Sequence, residues 1–550
     1  MSTTAMQDMT KPEERLSIGE YGSDDKPGAA LKGGTAFDEQ EMQRMGKVQE
    51  LRRNFKFIGI VGFVTILQAT WESTLLANSF GLLNGGTGGV IWCTIAVWLL
   101  MLCTIASMAE MASMCPTAGG KYWVALASLP NANMDFPGQY HWVSEFAPPS
   151  LQKPLSYVVG WCCCLGWISG IPSCALQLAG VVQAMVVLVN PDADVSMLWQ
   201  TTLMVFLFVL LTVGFNVFFA HHLPLAEGIV LFLHVFAFFA FMLTLWIMAD
   251  HAPAVQVFTT FNDGGGWGNM GLSCLVGLAT PIWCFIGPDA GAHMSEELKD
   301  ASLQLPKAMM WAILGNGIMG IVMLITFCFC ITDLDALLSS GSQYPIIQVL
   351  FNATSSYAGT IILGSVLIVL LFFSTVTTVA SASRQTWAFS RDCGFPFSEW
   401  IRHVPPAWEI PLNALLVCLG VSLLLSAINF GSTTALNAVL NVSNAALIFS
   451  YIISIGCVRL KRLRGEPLLP RRWSLGKWGA PLNDIALAFL FVGFVFSFFP
   501  QAPAVGDPAW AAHFNWAIVI FSATCTLALV YYVCGGSRRY VAPVALVKQE

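Results

Sequence analysis

The chain has 550 residues, of which 56% are hydrophobic and 11% charged, and its mean hydropathy is +0.67. A soluble globular domain carries about one-quarter charged residues, so this composition excludes one and indicates an all-α polytopic membrane protein. The net charge of −6 sits mainly in a polar stretch before Phe55 and gives no reason to expect a nucleic acid partner.

Residues 1–54 are rich in Glu, Asp, Gly, Ser and Thr and poor in apolar types, and they read as a disordered tail. No signal-peptide pattern is present, so the first span is expected to stay as an anchor. A bilayer crossing needs about 20 mainly apolar residues. Twelve such runs follow, near 55–80, 88–113, 155–187, 198–220, 224–248, 270–295, 309–331, 358–382, 411–429, 434–458, 483–500 and 514–534. Cytoplasmic loops next to spans collect Lys and Arg. With the N-terminus inside, all 26 basic residues fall on the inner side, nine of them before the first span and seven between Arg459 and Lys477. A missed or extra span would move later clusters outside. The alternation therefore supports twelve spans in a domain over 55–535, with the tails 1–54 and 536–550 both cytoplasmic. The 16 cysteines lie in spans or on the inner side, which suits small packing residues rather than a disulfide framework or a metal site. No cofactor is expected.

Two spans are interrupted. The first reads "GFVTILQATWESTLLANSF", with Gln68, Thr70, Trp71 and Glu72 at its middle. The sixth reads "LVGLATPIWCFIGPDAGAHMSEEL", where Pro281, Gly287, Pro288 and Gly291 predict a broken helix near 284–289 and Asp289 adds a charge. They stand five spans apart, an odd number, so the pair predicts two inverted five-helix repeats, about 55–248 and 270–458, with two added helices over 483–534. Interrupted segments at matching positions of inverted repeats point to a transporter's central site. The competing reading is ordinary proline kinking beside a satisfied buried glutamate.

At these residues the chain resembles the fungal amino acid, choline and GABA permeases of the amino acid/polyamine/organocation superfamily. The likeness rests on "TWES", "PTAGG", "GPDAGAHMSEELKDASLQLPKAM" and "ASRQTWAFSRDCGFPFSEW", and covers roughly 50–535. It implies ten core helices plus two, alternating access, and proton-coupled uptake of a small amine or amino acid; a non-transporting nutrient sensor or an exchanger is the alternative. Members of this superfamily often carry a glycine-rich first break that holds a substrate carboxylate, whereas this one reads Gln-Ala-Thr-Trp-Glu-Ser. An indole face attracts an ammonium group and a carboxylate neutralises it, so Trp71 and Glu72 favour an amine or quaternary ammonium, provided the backbone there is unwound.

The candidate substrate residues are thus Gln68, Thr70, Trp71, Glu72, Trp283, Phe285, Gly287 and Asp289, joined by Asn437 and Asn441, which share a face of the tenth span at a spacing of four. Ser374, Thr375, Thr377 and Thr378 in the eighth span read as packing. Glu227 and His234 in the fifth span are the candidate proton-coupling groups, each with a structural alternative: a helix-terminus charge and a satisfied buried histidine. A membrane-embedded enzyme would need converging catalytic groups at one depth, and the sequence shows no such cluster.

The stretch from Thr117 to Pro149 repeats itself, with Gly-Lys-Tyr-Trp and then Gly-Gln-Tyr-His-Trp. In the permeases it resembles, the glycine pair runs directly into Gln-Tyr-His-Trp. The 18 intervening residues, Lys121 to Gly138, admit codons for an intron start (GUAAGU), a branch site (CUAAC) and a pyrimidine-rich end in CAG, in that order and in frame. They read as a translated intron, with a true loop insertion as the alternative.

Overall fold

The computed structural model describes residues 55–115, 138–195, 197–334, 337, 344–406, 408, 410–431, 433–503, 510 and 514–543, without the side chains of 433–437. The tail 1–54, the end 544–550 and residues 121–137 of the repeated stretch lie outside the described residues, as does the side chain of Asn437. Among the described residues the regular elements are helices, apart from one isolated bridge between Phe55 and Leu298.

Twelve described helices are long and apolar enough to cross a membrane: Phe57–Leu76, Gly86–Met114, Gln152–Val189, Leu198–Phe218, Ala220–Met248, Met270–His293, Ala301–Phe329, Tyr357–Arg391, Leu412–Phe430, Ala438–Leu463, Gly476–Phe496 and Ala517–Arg539. Each coincides with one predicted run. The seventh begins at Ala301, earlier than the expected 309. Pro306 lacks the N–H that would reach the carbonyl of Ser302, and Ser113 Oγ of the second span donates to that carbonyl at 2.9 Å instead. The eighth continues to Arg391, past the expected 382, because its two arginines are buried and paired. Arg384 Nε lies 3.0 Å from Glu297, and Arg391 lies 3.7 Å from Glu296.

The first span is two helices, Phe57–Gln68 and Thr70–Leu76, joined by Ala69 at φ 39° and ψ 49°. A residue with a Cβ pays for left-handed geometry, so neighbours must fix it. Asn316 Nδ2 donates to Thr65 O and Ser374 Oγ to Leu67 O, each at 2.9 Å. The sixth span runs as Met270–Gly277 and Ala279–Phe285, passes through extended Ile286 and Gly287 at φ +115°, and resumes at Ala290–His293. The two breaks are stitched together. Gln68 Nε2 donates to Phe285 O and Thr70 Oγ1 to Cys284 O, both at 3.0 Å. Irregular backbone survives at membrane depth only when its polar groups find partners inside the protein or line a cavity, and these side chains supply such partners.

The face that carries the basic loops is tied shut. Phe55 N donates to Glu297 O at 3.0 Å and Lys299 N to Phe55 O at 3.2 Å. Glu110, 1% exposed at the end of the second span, meets Arg462 and Arg471, and Arg472 pairs with Asp300. The start of the first span, the 6–7 connection and the 10–11 connection therefore form one braced layer.

Candidate functional site

Two cavities meet at the breaks. A larger one of about 520 Å³ lies on the face opposite the basic loops, walled by the outer ends of the first, third, sixth and tenth spans and by the 11–12 connection. A smaller one of about 40 Å³ lies deeper, against Leu67, Gln68, Gly287, Trp167, Ser374 and Thr378. Trp283 and Gln177 line both. Trp283 sits in the last turn before the sixth-span break, so movement of that break carries the indole that divides the two spaces.

The sequence candidates separate into three groups. Gln68, Trp283, Gly287 and Asn441 line one or both cavities. Thr70 and Phe285 do not; they join the breaks, Thr70 through its hydroxyl and Phe285 through its carbonyl. Trp71, Glu72 and Asp289 point elsewhere. The helix Thr70–Leu76 is intact, so the unwound backbone that would let Trp71 and Glu72 embrace one ligand is absent there. Both reach the fifth span instead. His234 Nδ1 lies 2.7 Å from Glu72 Oε1 and accepts from Trp71 Nε1 at 3.1 Å. The indole of Trp71 is enclosed by Phe238 and Phe241, with ring centroids at 6.3 and 5.3 Å.

Asp289 is buried below the cavities. Gln139 donates to one of its oxygens and Tyr451 to the other. Gln139 opens the helix Gln139–Phe146, directly after Gly138, and Ser454 Oγ bonds its carbonyl at 3.4 Å. The residue that restarts the repeated stretch thus clamps the far side of the sixth-span break to the tenth span. Glu227 is fully buried on the fifth span, and neither of its carboxylate oxygens has a hydrogen-bond partner among the described residues.

Sequence reading missed Trp167, Gln177 and Asn444. Gln177 and Asn444 are amides inside apolar runs and could have been singled out on that ground. Trp167 carries no sequence signal, because a tryptophan in a span is commonplace until its surroundings are known. Ser374 and Thr378, expected to pack, line the smaller cavity. Among the described lining residues of both cavities there is no Asp, Glu, Lys, Arg or His. Trp167 Nε1 and Asn444 Oδ1 also have no hydrogen-bond partner among the described residues. The space can therefore meet a ligand with indole faces, the unpartnered N–H of Trp167, amides and hydroxyls, and with no fixed charge among its described lining residues.

Residues 57–524 match the family model described as amino acid permease. The chain belongs to that family. It is a membrane transporter rather than an enzyme. The permease is 28% identical over 449 residues to a candidate amino acid/polyamine transporter of Macrophomina phaseolina, an alignment covering 81% of this chain and 95% of the relative. It is 27% identical over 496 residues to a choline transporter of Saccharomyces cerevisiae, covering 90% and 83% of the two chains. Among solved structures it resembles an Eremococcus coleocola manganese transporter mutant, with a TM-score of 0.52, 14% identity, and coverage of 88% of this chain and 94% of that one. That likeness speaks for the fold alone.

Proposed function

We propose that this permease imports a small amine or amino acid, of the choline or GABA kind, by alternating access in symport with protons. The observation that carries the reading is the pair of cavities meeting at two facing helix breaks beneath Trp283, closed off by the braced basic face. A transporter caught open to one side has this arrangement. The basic loops favour a cytoplasmic position for that braced face; on this reading both tails lie inside and the larger cavity opens toward the outer medium, most simply across the plasma membrane. The inverted five-helix repeats belong to the same reading, since they would let one break rock against the other.

An uncharged cavity selects for ligands whose charge can be met by dipoles and ring faces. An ammonium over an indole gains about 0.5 kcal/mol when exposed and about 2 kcal/mol or more when desolvated, and Trp167 and Trp283 offer two such faces. Gln68 and Gly287 would contact the bound group at the breaks, and Asn441, with Asn437 one turn before it, would meet its remainder from the tenth span. His234 and Glu227, both buried on the fifth span, are the groups proposed to couple the proton.

Radiolabelled uptake in cells carrying the gene, with and without a proton uncoupler, tests the proposal. Saturable uptake abolished by the uncoupler is expected. Uptake that survives the uncoupler but needs substrate preloaded inside would make the protein an exchanger, and no saturable uptake of any amine or amino acid would remove the transport reading.

A further inference from the structure

Resting on the symport reading above, we infer that Glu72 and His234 form a single proton-binding pair, set apart from the substrate cavity, and that this pair ties proton occupancy to the first-span break. Both side chains are fully buried, with Nδ1 and Oε1 2.7 Å apart. The indole N–H of Trp71 is directed at the same Nδ1 at 3.1 Å. An imidazole nitrogen either carries a hydrogen or offers one lone pair. With Glu72 ionised, Nδ1–H donates to Oε1 and the indole N–H loses its acceptor. With the carboxyl protonated and the imidazole hydrogen on Nε2, the Nδ1 lone pair accepts instead, facing the Glu72 hydroxyl at 2.7 Å and the indole N–H at 3.1 Å. One proton therefore decides whether Nδ1 donates to Glu72 or accepts from its two neighbours.

The pair retains unused capacity. Glu72 Oε2 and His234 Nε2 have no partner among the described residues, and Trp71, Phe238 and Phe241 wall the site. Glu72 lies three residues past Ala69, on the short helix whose Thr70 holds the carbonyl of Cys284. His234 lies on the fifth span, so the pair fastens the second half of the first span to the fifth. Neither residue is among the described lining of the two cavities above. Proton and substrate then act on the same helix break from opposite sides without sharing space.

The charged groups on neighbouring elements do not replace this pair. The fifth span packs on the first half of the first span, on the seventh and eighth spans, and on the helix Pro345–Thr354. The seventh span brings only Lys307; the eighth brings Arg384 and Arg391, engaged with Glu297 and Glu296 on the basic face. Phe57–Gln68 and Pro345–Thr354 carry no charged or histidine residue. His221 and His222 are exposed at the basic end of the fifth span. Glu227 shares the buried face with His234, seven residues earlier, or about two helical turns. It stands between the pair and the basic face, where it would receive the proton on its way inside.

The test uses the full-length protein in liposomes, with each of radiolabelled choline, GABA and the common amino acids as probe. With one proton per substrate, a gradient of about one pH unit supports roughly tenfold accumulation by the wild type. Glu72→Gln is expected to lose that accumulation and the dependence of rate on pH between about 5 and 8, while exchange of internal for external label continues. Glu72→Asp should restore part of the pH dependence. Trp71→Phe removes a donor that favours the protonated pair, so the pH midpoint of uptake should fall by about 0.5–1 unit, a change that a packing role alone would not cause. Gradient-driven accumulation by Glu72→Gln would overturn the inference. So would loss of exchange together with accumulation in a variant that elutes as a single folded species, or an unmoved midpoint in Trp71→Phe. A wild type that takes up no probe, or ignores the gradient, would overturn the symport reading and this inference with it.

Discussion

Replacing Gly287 by alanine isolates the strain that the sixth-span break requires. Gly287 sits at φ +115°, and a Cβ there would lie 2.7 Å from Leu67 Cδ2 and 4.0 Å from the Trp167 ring. Two costs compete. The contact with Leu67 involves the far end of a flexible side chain, which can turn aside for a few tenths of a kcal/mol. The backbone conformation is nearly closed to residues with a Cβ, and holding one there costs about 1–3 kcal/mol. Backbone strain should dominate. At about 2 kcal/mol the break is disfavoured roughly 30-fold, enough to lower the thermal midpoint of the purified protein and to slow uptake. Gly420→Ala is the matched control. It lies in the exposed face of the ninth span, where an added methyl would meet nothing within 4 Å, and alanine inside a helix gains about 0.5–1 kcal/mol over glycine. Its midpoint should hold or rise. The assay is thermal unfolding in detergent for Gly287→Ala, Gly420→Ala and the double variant Gly287→Ala/Leu67→Ala. Full recovery in the double variant would show that the clash, not the dihedral, sets the cost, and would refute the reasoning.

Trp283→Ala should merge the two cavities, so bulkier amines that fail to compete in the wild type become competitors. Loss of one ring face should weaken a cationic substrate by about 2- to 30-fold, and an unchanged competition profile would count against the dividing role. Glu110→Gln leaves Arg462 and Arg471 without their buried carboxylate. Because the two arginines are partly exposed, at 12% and 23%, the loss should be about 1–3 kcal/mol, below that of a fully enclosed pair; an unchanged thermal midpoint would argue against the brace. Deleting 121–138 brings Gly120 to the place of Gly138, where a Cβ would lie 2.9 Å from Gln385 Oε1 and 3.1 Å from His293. The shortened protein should transport faster than the full chain, and Gly120→Ala within it should reverse the gain. Equal uptake by the long and short forms would contradict this, and a mature message that always keeps the 18 codons would end the intron reading.

Much of the fold was legible because its causes are local in sequence. Apolar run length gives the spans, and proline and glycine in the sixth span mark a break that the structure places at Ile286 to Asp289. Where the span limits moved, the causes were distant partners. Arg384 and Arg391 look like an ending until Glu297 and Glu296 are beside them. Pro306 looks like a helix start until Ser113 takes the carbonyl it frees.

The candidate site was less legible, because a side chain's residue type does not say which neighbour it will meet. Gln68, Trp283, Gly287 and Asn441 lie on the cavities, as their positions near breaks or in a polar face suggested. Trp71 and Glu72 sit between such residues in sequence, yet a helix turns about 100° per residue, and the intact turn after Ala69 carries both toward His234. Asp289 likewise follows the break but is taken up by Gln139 and Tyr451, 150 and 162 residues away in the chain. The sequence alone determined a twelve-span permease with two interrupted helices, since bilayer thickness, helix breakers and basic loops act residue by residue. Only the tertiary structure decided which polar groups face the cavity and which face another helix, because that depends on how separate spans pack side by side.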